Sequence, residues 1–346
     1  MKVVFPPVFS FAEMPQRPNL LAIALAKQGI SVIYYDPKKN LVRQNDILQF
    51  NFPNTFKLKF ANLHQPYMWF EPADIFMTIS PNLSTYCHLI KNKYRKSLIV
   101  YDCADDFSMF WKQKEVDLTK YSDIVITSSS TLYEKKLKEK PEHVYLVKNA
   151  ANLDNYKWPF NYNFPKDLPN NNKPIIGYIG ALSYWLDYNL IKEFSLYQNE
   201  FNFVFIGKPF GVSKKTIANL PIINLGEKPY SVLPSYVNYF DCCIIPFQIN
   251  QITLAADPIK LYEYFAMGKP VVSTNIPEVW RYKPYVEISP HSDSTRIRAK
   301  YFINTIKTSI KNNNKKKEIK RRKIAETNSW NARACSLIKI FEEHLK

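Results

Sequence analysis

The sequence predicts an α/β protein made of two Rossmann-like, doubly wound domains. Three observations point there. Short β-branched and aromatic runs alternate with helical patterns, which is the signature of parallel α/β architecture. The alternation stops at a polar, Asn- and Pro-rich stretch, NYKWPFNYNFPKDLPNNNKP, and then begins again. The length of 346 residues suits two cores of ordinary domain size.

In the first half, strands are expected at 2–5, 31–35, 75–79, 98–102, 124–127 and 143–147. Helices are expected between them at 19–28, 82–91 and 131–138; the first carries Leu20, Ile23, Ala24 and Ala26 near one face and stops at Gly29. In the second half, strands are expected at 175–179, 203–206, 222–225, 242–246 and 271–274, with helices near 187–197, 232–240 and 258–267. The last fifty residues read as helical: Phe302, Ile303, Ile306 and Ile310 make one apolar stripe, and Trp330, Leu337, Ile340 and Phe341 suit a helix packed onto a domain. The implied boundaries are a first domain at 1–155, a linker at 156–173, a second domain at 174–312, and a basic helical segment at 313–346 placed to pack back on the first domain. Doubly wound sheets bind ligands beyond the carboxyl ends of their strands, so the cleft between the domains is the expected site.

Composition narrows the function classes. With 46% hydrophobic and 15% aromatic residues, the chain is too apolar to be disordered. No run of 18 apolar residues occurs, and two prolines interrupt the N-terminal apolar run, so neither a membrane span nor a signal peptide is expected. The five cysteines include no C-x-x-C pair, which fits a reducing cytoplasm and no structural zinc. Seven glycines supply no P-loop or dinucleotide fingerprint, and the five histidines lack ligand spacing.

The net charge of +17 is unevenly spread. Residues 1–150 hold 20 basic against 14 acidic side chains and residues 151–295 hold 12 against 12, whereas 296–323 hold 12 basic residues and only Glu318 as an acid. Such a block suits nucleic acid, anionic lipid or a solvated helix face. No nucleic-acid motif accompanies it, so no nucleic-acid partner is expected and an anionic membrane surface is the functional alternative to plain solvation.

Chemistry concentrates in ADPIKLYEYFAMGKPVVST, residues 256–274. Asp257 stands where a helix N-cap belongs, Pro258 at the first helical position, and Gly268 where a C′ glycine ends the helix. Such a helix start favours a phosphate; Lys260 adds a point charge, and Glu263 offers an acceptor for paired hydroxyls. Both side chains also suit an ordinary exposed helix face. Asp102, Asp105 and Asp106 follow a strand end and form an acidic cluster able to orient a hydroxyl or act as a general base, while Asp105 or Asp106 equally suits the cap of a helix opening at FSMFWK.

The 256–274 segment resembles the donor-site signature of the GT-B glycosyltransferases, particularly the family 4 bacterial group with D-P-x-K-x-Y-E-Y-x-A-x-G-K-P-V-V. HVYLVKNAANLD, with Asn149, is similar to the element closing that family's first domain, and PIIGYIGALSYWLD, with Gly180, to the first strand and loop of its donor domain. IVYDCADDF and QRPNLLAIALAKQG resemble elements of the acceptor-side domain, so the likeness spans roughly residues 1–290. Two positions depart from the family: Ala255 stands eight residues before Glu263, where a second glutamate is usual, and GALSYWLD lacks the usual Arg and Lys.

The resemblance implies a GT-B fold and a glycosyltransferase using a nucleoside-diphosphate-sugar as substrate, a UDP-sugar ahead of a GDP-sugar, with no cofactor and no metal. It places Glu263 on the ribose hydroxyls and assigns Gly180, Lys208, Asp257, Lys260 and Leu261 to the donor, with Gln16 and Arg17 on the acceptor or phosphate side. Asp102, Asp105 and Asp106 are the catalytic candidates. The implied acceptor is a glycan or lipid-linked glycan of cell-surface polysaccharide synthesis, and the implied stereochemistry is retention. Cysteine usage and the basic block at 296–323 point in turn to a cytoplasmic location, peripheral at the inner face of the membrane. The missing glutamate suggests the alternative of a non-catalytic nucleotide-sugar or glycan-binding protein.

Overall fold

The fold was analysed in a computed structural model. It describes the chain except residues 12, 14, 38–51, 62–69 and 158–160, with backbone only at 108–110. The chain divides into two units: 1–149 with 255–257 and 330–346, and 150–254 with 258–329.

The first unit alternates β1 (Lys2–Phe5), α1 (Arg17–Lys27), β2 (Ser31–Asp36), β3 (Phe56–Phe60), β4 (Ile75–Thr78), α2 (Ser84–Lys93), β5 (Leu98–Cys103), α3 (Ser108–Tyr121), β6 (Ile124–Thr127), α4 (Ser130–Glu139) and β7 (Val144–Leu146). The seven strands are parallel in the order β3-β2-β1-β4-β5-β6-β7, so the winding reverses between β1 and β4. β4 and β6 bury every residue, and β1 and β5 all but their first, as parallel strands covered on both faces do. The terminal helix, Trp330–His344, joins this unit and buries Trp330, Leu337 and Phe341.

β3 was not expected. FKLKF alternates lysines with apolar residues at an outer edge of the sheet, where Lys57 and Lys59 reach solvent and no continuous apolar run forms.

The second unit repeats the plan: β8 (Ile175–Ile179), β9 (Leu182–Ser183), α5 (Tyr188–Lys192), β10 (Asn202–Ile206), β11 (Pro209–Phe210), α6 (Lys214–Ala218), β12 (Ile223–Asn224), α7 (Leu233–Asn238), β13 (Cys242–Ile245), α8 (Gln251–Leu254), α9 (Ile259–Ala266), β14 (Val271–Ser273), α10 (Pro277–Trp280), β15 (Glu287–Ile288), α11 (Thr295–Lys311) and α12 (Lys315–Thr327). Its main sheet runs β12-β10-β8-β13-β14-β15, all parallel, with the reversal between β8 and β13. The two-residue strands β9 and β11 pair separately. The polar stretch read as a linker belongs to this unit: Tyr156 and Leu168 are buried, and Asp167 pairs with Lys228 at 2.7 Å.

Candidate donor and acceptor sites

In the second unit, the segment between β13 and β14 brings α9 against β8 at the topological switch point. Leu261, Tyr262, Tyr264 and Phe265 are buried, which fixes the helix on several sides. The Tyr264 hydroxyl accepts the Ile179 N–H at 2.9 Å and fastens α9 to the end of β8. Gly268 follows the helix with φ of 70°, the left-handed C′ conformation its position predicts. The cap at the other end differs from expectation: Pro258 occupies the N-cap position, and the Asp257 carboxylate accepts the Asn149 N–H at 2.7 Å instead.

This mounting leaves Lys260 and Glu263 one turn apart. The Lys260 ammonium lies 5.3 Å from the Tyr178 ring centre and 4.8 Å from that of Phe247. Removal from water between those rings lowers its pKa to about 8, against the opposing pull of Glu263. Gly180 closes β8 with φ of 140°, and a Cβ there would lie 3.1 Å from Lys260 Cε, so the residue type keeps backbone and ammonium in close approach.

Glu263 is buried. The Tyr230 hydroxyl donates to its Oε1 at 2.7 Å, and the Tyr156 hydroxyl also hydrogen-bonds it. Desolvation raises its pKa to about 7, opposed by Tyr230, Lys260 and Tyr156. The two tyrosine rings meet edge-on at 6.1 Å, and Asn155 Nδ2 donates to the Tyr230 carbonyl at 2.9 Å. No spacing rule marks Tyr156, Tyr178, Tyr230 or Phe247; only the fold gathers them around α9.

The remaining donor candidates separate. Lys208 sits after β10 and pairs with Glu227 at 3.6 Å near the surface. Leu261 is fully buried and its N–H donates to the Pro258 carbonyl, so its side chain serves the core rather than a ligand.

In the first unit, Arg17 and Asp102 are nearly inaccessible to water. Arg17 Nε donates to the Asp102 carboxylate at 2.8 and 2.9 Å, Nη1 to Asn149 Oδ1 at 3.0 Å, and Nη2 to the Val147 carbonyl at 2.8 Å. Asn149 Nδ2 donates in turn to the Asp257 carbonyl at 2.6 Å, while Arg333 of the terminal helix donates to the Lys148 and Asn149 carbonyls. Arg17 therefore ties α1, β5 and the segment after β7 together; its buried guanidinium is committed to that network and not presented to a phosphate. Gln16 opens α1, with its N–H donating to Asn19 Oδ1 at 3.0 Å.

The aspartates divide accordingly. Asp102 is committed to Arg17, and Asp106 accepts from Lys135 at 2.7 Å. Neither Asp105 nor Asp106 caps α3, whose N-cap position is Phe107. Asp105 is the exposed member. The packed protein around it pushes its pKa up to about 6, with Asp102 and Asp106 adding to the rise and Arg17 opposing it, while contact with water tempers the desolvation. Asp105 is thus the one of the three aspartates left open to solvent.

Among the described residues, no group of three or more His, Cys, Asp or Glu is arranged to hold a metal, and no helix is long and apolar enough to cross a membrane.

Residues 173–286, which include β8, α9 and every donor candidate, match the family model described as glycosyl transferases group 1. The putative teichuronic acid biosynthesis glycosyltransferase TuaH of Bacillus subtilis is 26% identical over 266 residues, covering 70% of this chain and 66% of that protein, just under two thirds of its length. Among solved structures, Anabaena HepE in complex with UDP and glucose superposes with a TM-score of 0.71 at 15% identity, over 98% of this chain and 99% of that one. A glycosyltransferase from Rickettsia africae gives 0.67 at 17% identity, over 100% and 98%. Residues 173–286 thus match a group 1 glycosyltransferase domain, and the chain as a whole has the GT-B fold.

Proposed function

We propose that this chain is a glycosyltransferase that takes its sugar from a nucleoside-diphosphate donor held by β8 and α9, a UDP-sugar ahead of a GDP-sugar. The recipient on this reading is a glycan or lipid-linked acceptor in cell-surface polysaccharide synthesis. The observation that carries it is the Lys260–Glu263 pair on a helix fastened beside Gly180 at the switch point. A diphosphate needs a cation and close backbone approach, and a ribose diol needs a carboxylate that can accept two hydroxyls. The UDP and glucose bound to HepE support the donor class, and the name of TuaH supports the polysaccharide setting.

As the bond from the sugar to the donor phosphate breaks, negative charge grows on the departing diphosphate. Lys260, partly withdrawn from water between the Tyr178 and Phe247 rings, is worth more against that charge than a fully solvated lysine. The acceptor hydroxyl loses its proton as the new glycosidic bond forms. In the retaining course that the sequence resemblance implies, the departing phosphate assists in taking that proton, and Asp105, the exposed one of the three aspartates, is the candidate to orient the hydroxyl.

A panel of UDP- and GDP-sugars, assayed for release of the nucleoside diphosphate, tests this. Turnover of at least one donor is expected, with Glu263→Ala lowering kcat/KM roughly 10- to 100-fold, the scale of losing a buried charge-assisted contact. Tight nucleotide binding without turnover across the panel would instead identify a non-catalytic binding protein.

A further inference from the structure

The basic stretch from Arg296 to Lys323 lies outside the donor machinery, and the fold sorts its twelve cations into two groups. Four serve the second unit's own structure. Arg298 pairs with Asp187 at 3.1 Å, Lys317 with Glu287 at 3.9 Å and Arg322 with Glu318 at 3.8 Å, while Arg321 is buried and donates to the Gly268 carbonyl at 3.0 Å. The other eight are exposed, four on each of α11 and α12.

On α11 the exposed cations are Arg296, Lys300, Lys307 and Lys311. At 3.6 residues per turn they fall within an arc of about 60°, and Ile297 and Tyr301 flank them within about 140°. The adjoining face buries Ala299, Phe302, Ile303 and Ile306. On α12 the exposed cations are Lys315, Lys316, Lys320 and Lys323, and they surround Ile319 within another arc of about 140°. Ile297, Tyr301 and Ile319 are 46%, 40% and 53% exposed, large apolar groups left in water amid charge. Carboxylates offset part of this charge: Glu200 pairs with Lys307, Glu318 with Lys315, Glu326 lies on the same arc of α12 about one turn beyond Lys323, and Asp293 precedes α11.

We infer that the exposed faces of α11 and α12 dock this enzyme on an anionic lipid surface. Cations arrayed along an exposed helix face meet acidic headgroups, and the interspersed Ile and Tyr side chains enter the interfacial region just beneath them. Those apolar groups distinguish lipid from nucleic acid as the occupant: a phosphate backbone gives Ile297 and Ile319 nothing to contact, and no row of aromatic side chains is present on either face to stack bases. The inference is independent of which nucleotide the donor site takes.

Flotation of the full chain with vesicles tests it, comparing pure phosphatidylcholine with phosphatidylcholine containing 30 mol% phosphatidylglycerol. Each basic residue near an anionic surface adds roughly fivefold to partitioning. Binding to the anionic vesicles alone is therefore expected, with at least tenfold loss in K315Q/K316Q/K320Q/K323Q. The wild type in 0.5 M NaCl, where screening shortens the reach of charge, provides a second reading that needs no variant and is expected to lose most of its binding. Equal flotation with neutral vesicles, wild-type partitioning by the lysine variant, salt-insensitive binding, or tighter capture by single-stranded DNA than by anionic vesicles would each overturn the assignment.

Discussion

Lys260 and Glu263 are held by burial in positions where both protonation states are accessible near neutrality, and the direction of each shift sets a pH window. Glu263 is raised to about 7, so below that pH it is increasingly a neutral acid and a poorer acceptor for hydroxyls. Lys260 is lowered to about 8, so above that pH it increasingly lacks the charge a diphosphate requires. UDP affinity measured by calorimetry is therefore expected to peak between about pH 7 and 8 and to fall toward tenfold per pH unit on either side. Tyr230→Phe removes a bond that favours the ionised Glu263, so its acidic limb moves to higher pH while the alkaline limb stays; an unmoved acidic limb would remove Tyr230 from this role. Arg17 answers to stability rather than ligand. Its loss in Arg17→Ala leaves the Asp102 carboxylate buried without its cation, a change costing roughly 3–5 kcal/mol that a denaturation curve reads directly.

Legibility in the sequence follows how local each determinant is. Gly268 could be read as a helix terminator because a C′ glycine answers to its own backbone angle. Asp257 could not be read correctly, since the N–H that claims its carboxylate belongs to Asn149, 108 residues away in the chain. Lys260 and Glu263 were visible through their spacing on α9, whereas the tyrosines that shape Glu263 come from residues 156 and 230 and share no pattern with it. The acidic cluster was likewise visible, but its division into two committed aspartates and the exposed Asp105 depends on Arg17 and Lys135 arriving from other helices. At the scale of the element, Gly268→Ala is expected to destabilise by at least about 1 kcal/mol, because φ of 70° disfavours any L side chain and the new Cβ would lie within 2.9 Å of the Arg322 guanidinium. An unchanged melting curve would contradict that account of how α9 ends.

At the scale of the molecule, two doubly wound sheets were legible because buried parallel strands need continuous apolar runs, as in IIGYI and CCII. The short outer strand β15 and the lysine-bearing β3 carry no such run. Residues 1–150 carry 20 basic against 14 acidic side chains, and most of the remaining +17 excess lies at 296–323, divided between cations that hold the second unit together and cations left on the outer faces of α11 and α12, while the donor candidate segment depends on Lys260. On the proposed reading, α9 holds a nucleoside diphosphate through Lys260 and Glu263. Calorimetric titration of UDP into the wild type and Glu263→Gln at pH 7.5 tests it most directly. Saturable binding by the wild type, weakened at least about tenfold in the variant while the melting temperature is kept, is the predicted result; equal affinity in the two proteins would contradict the account.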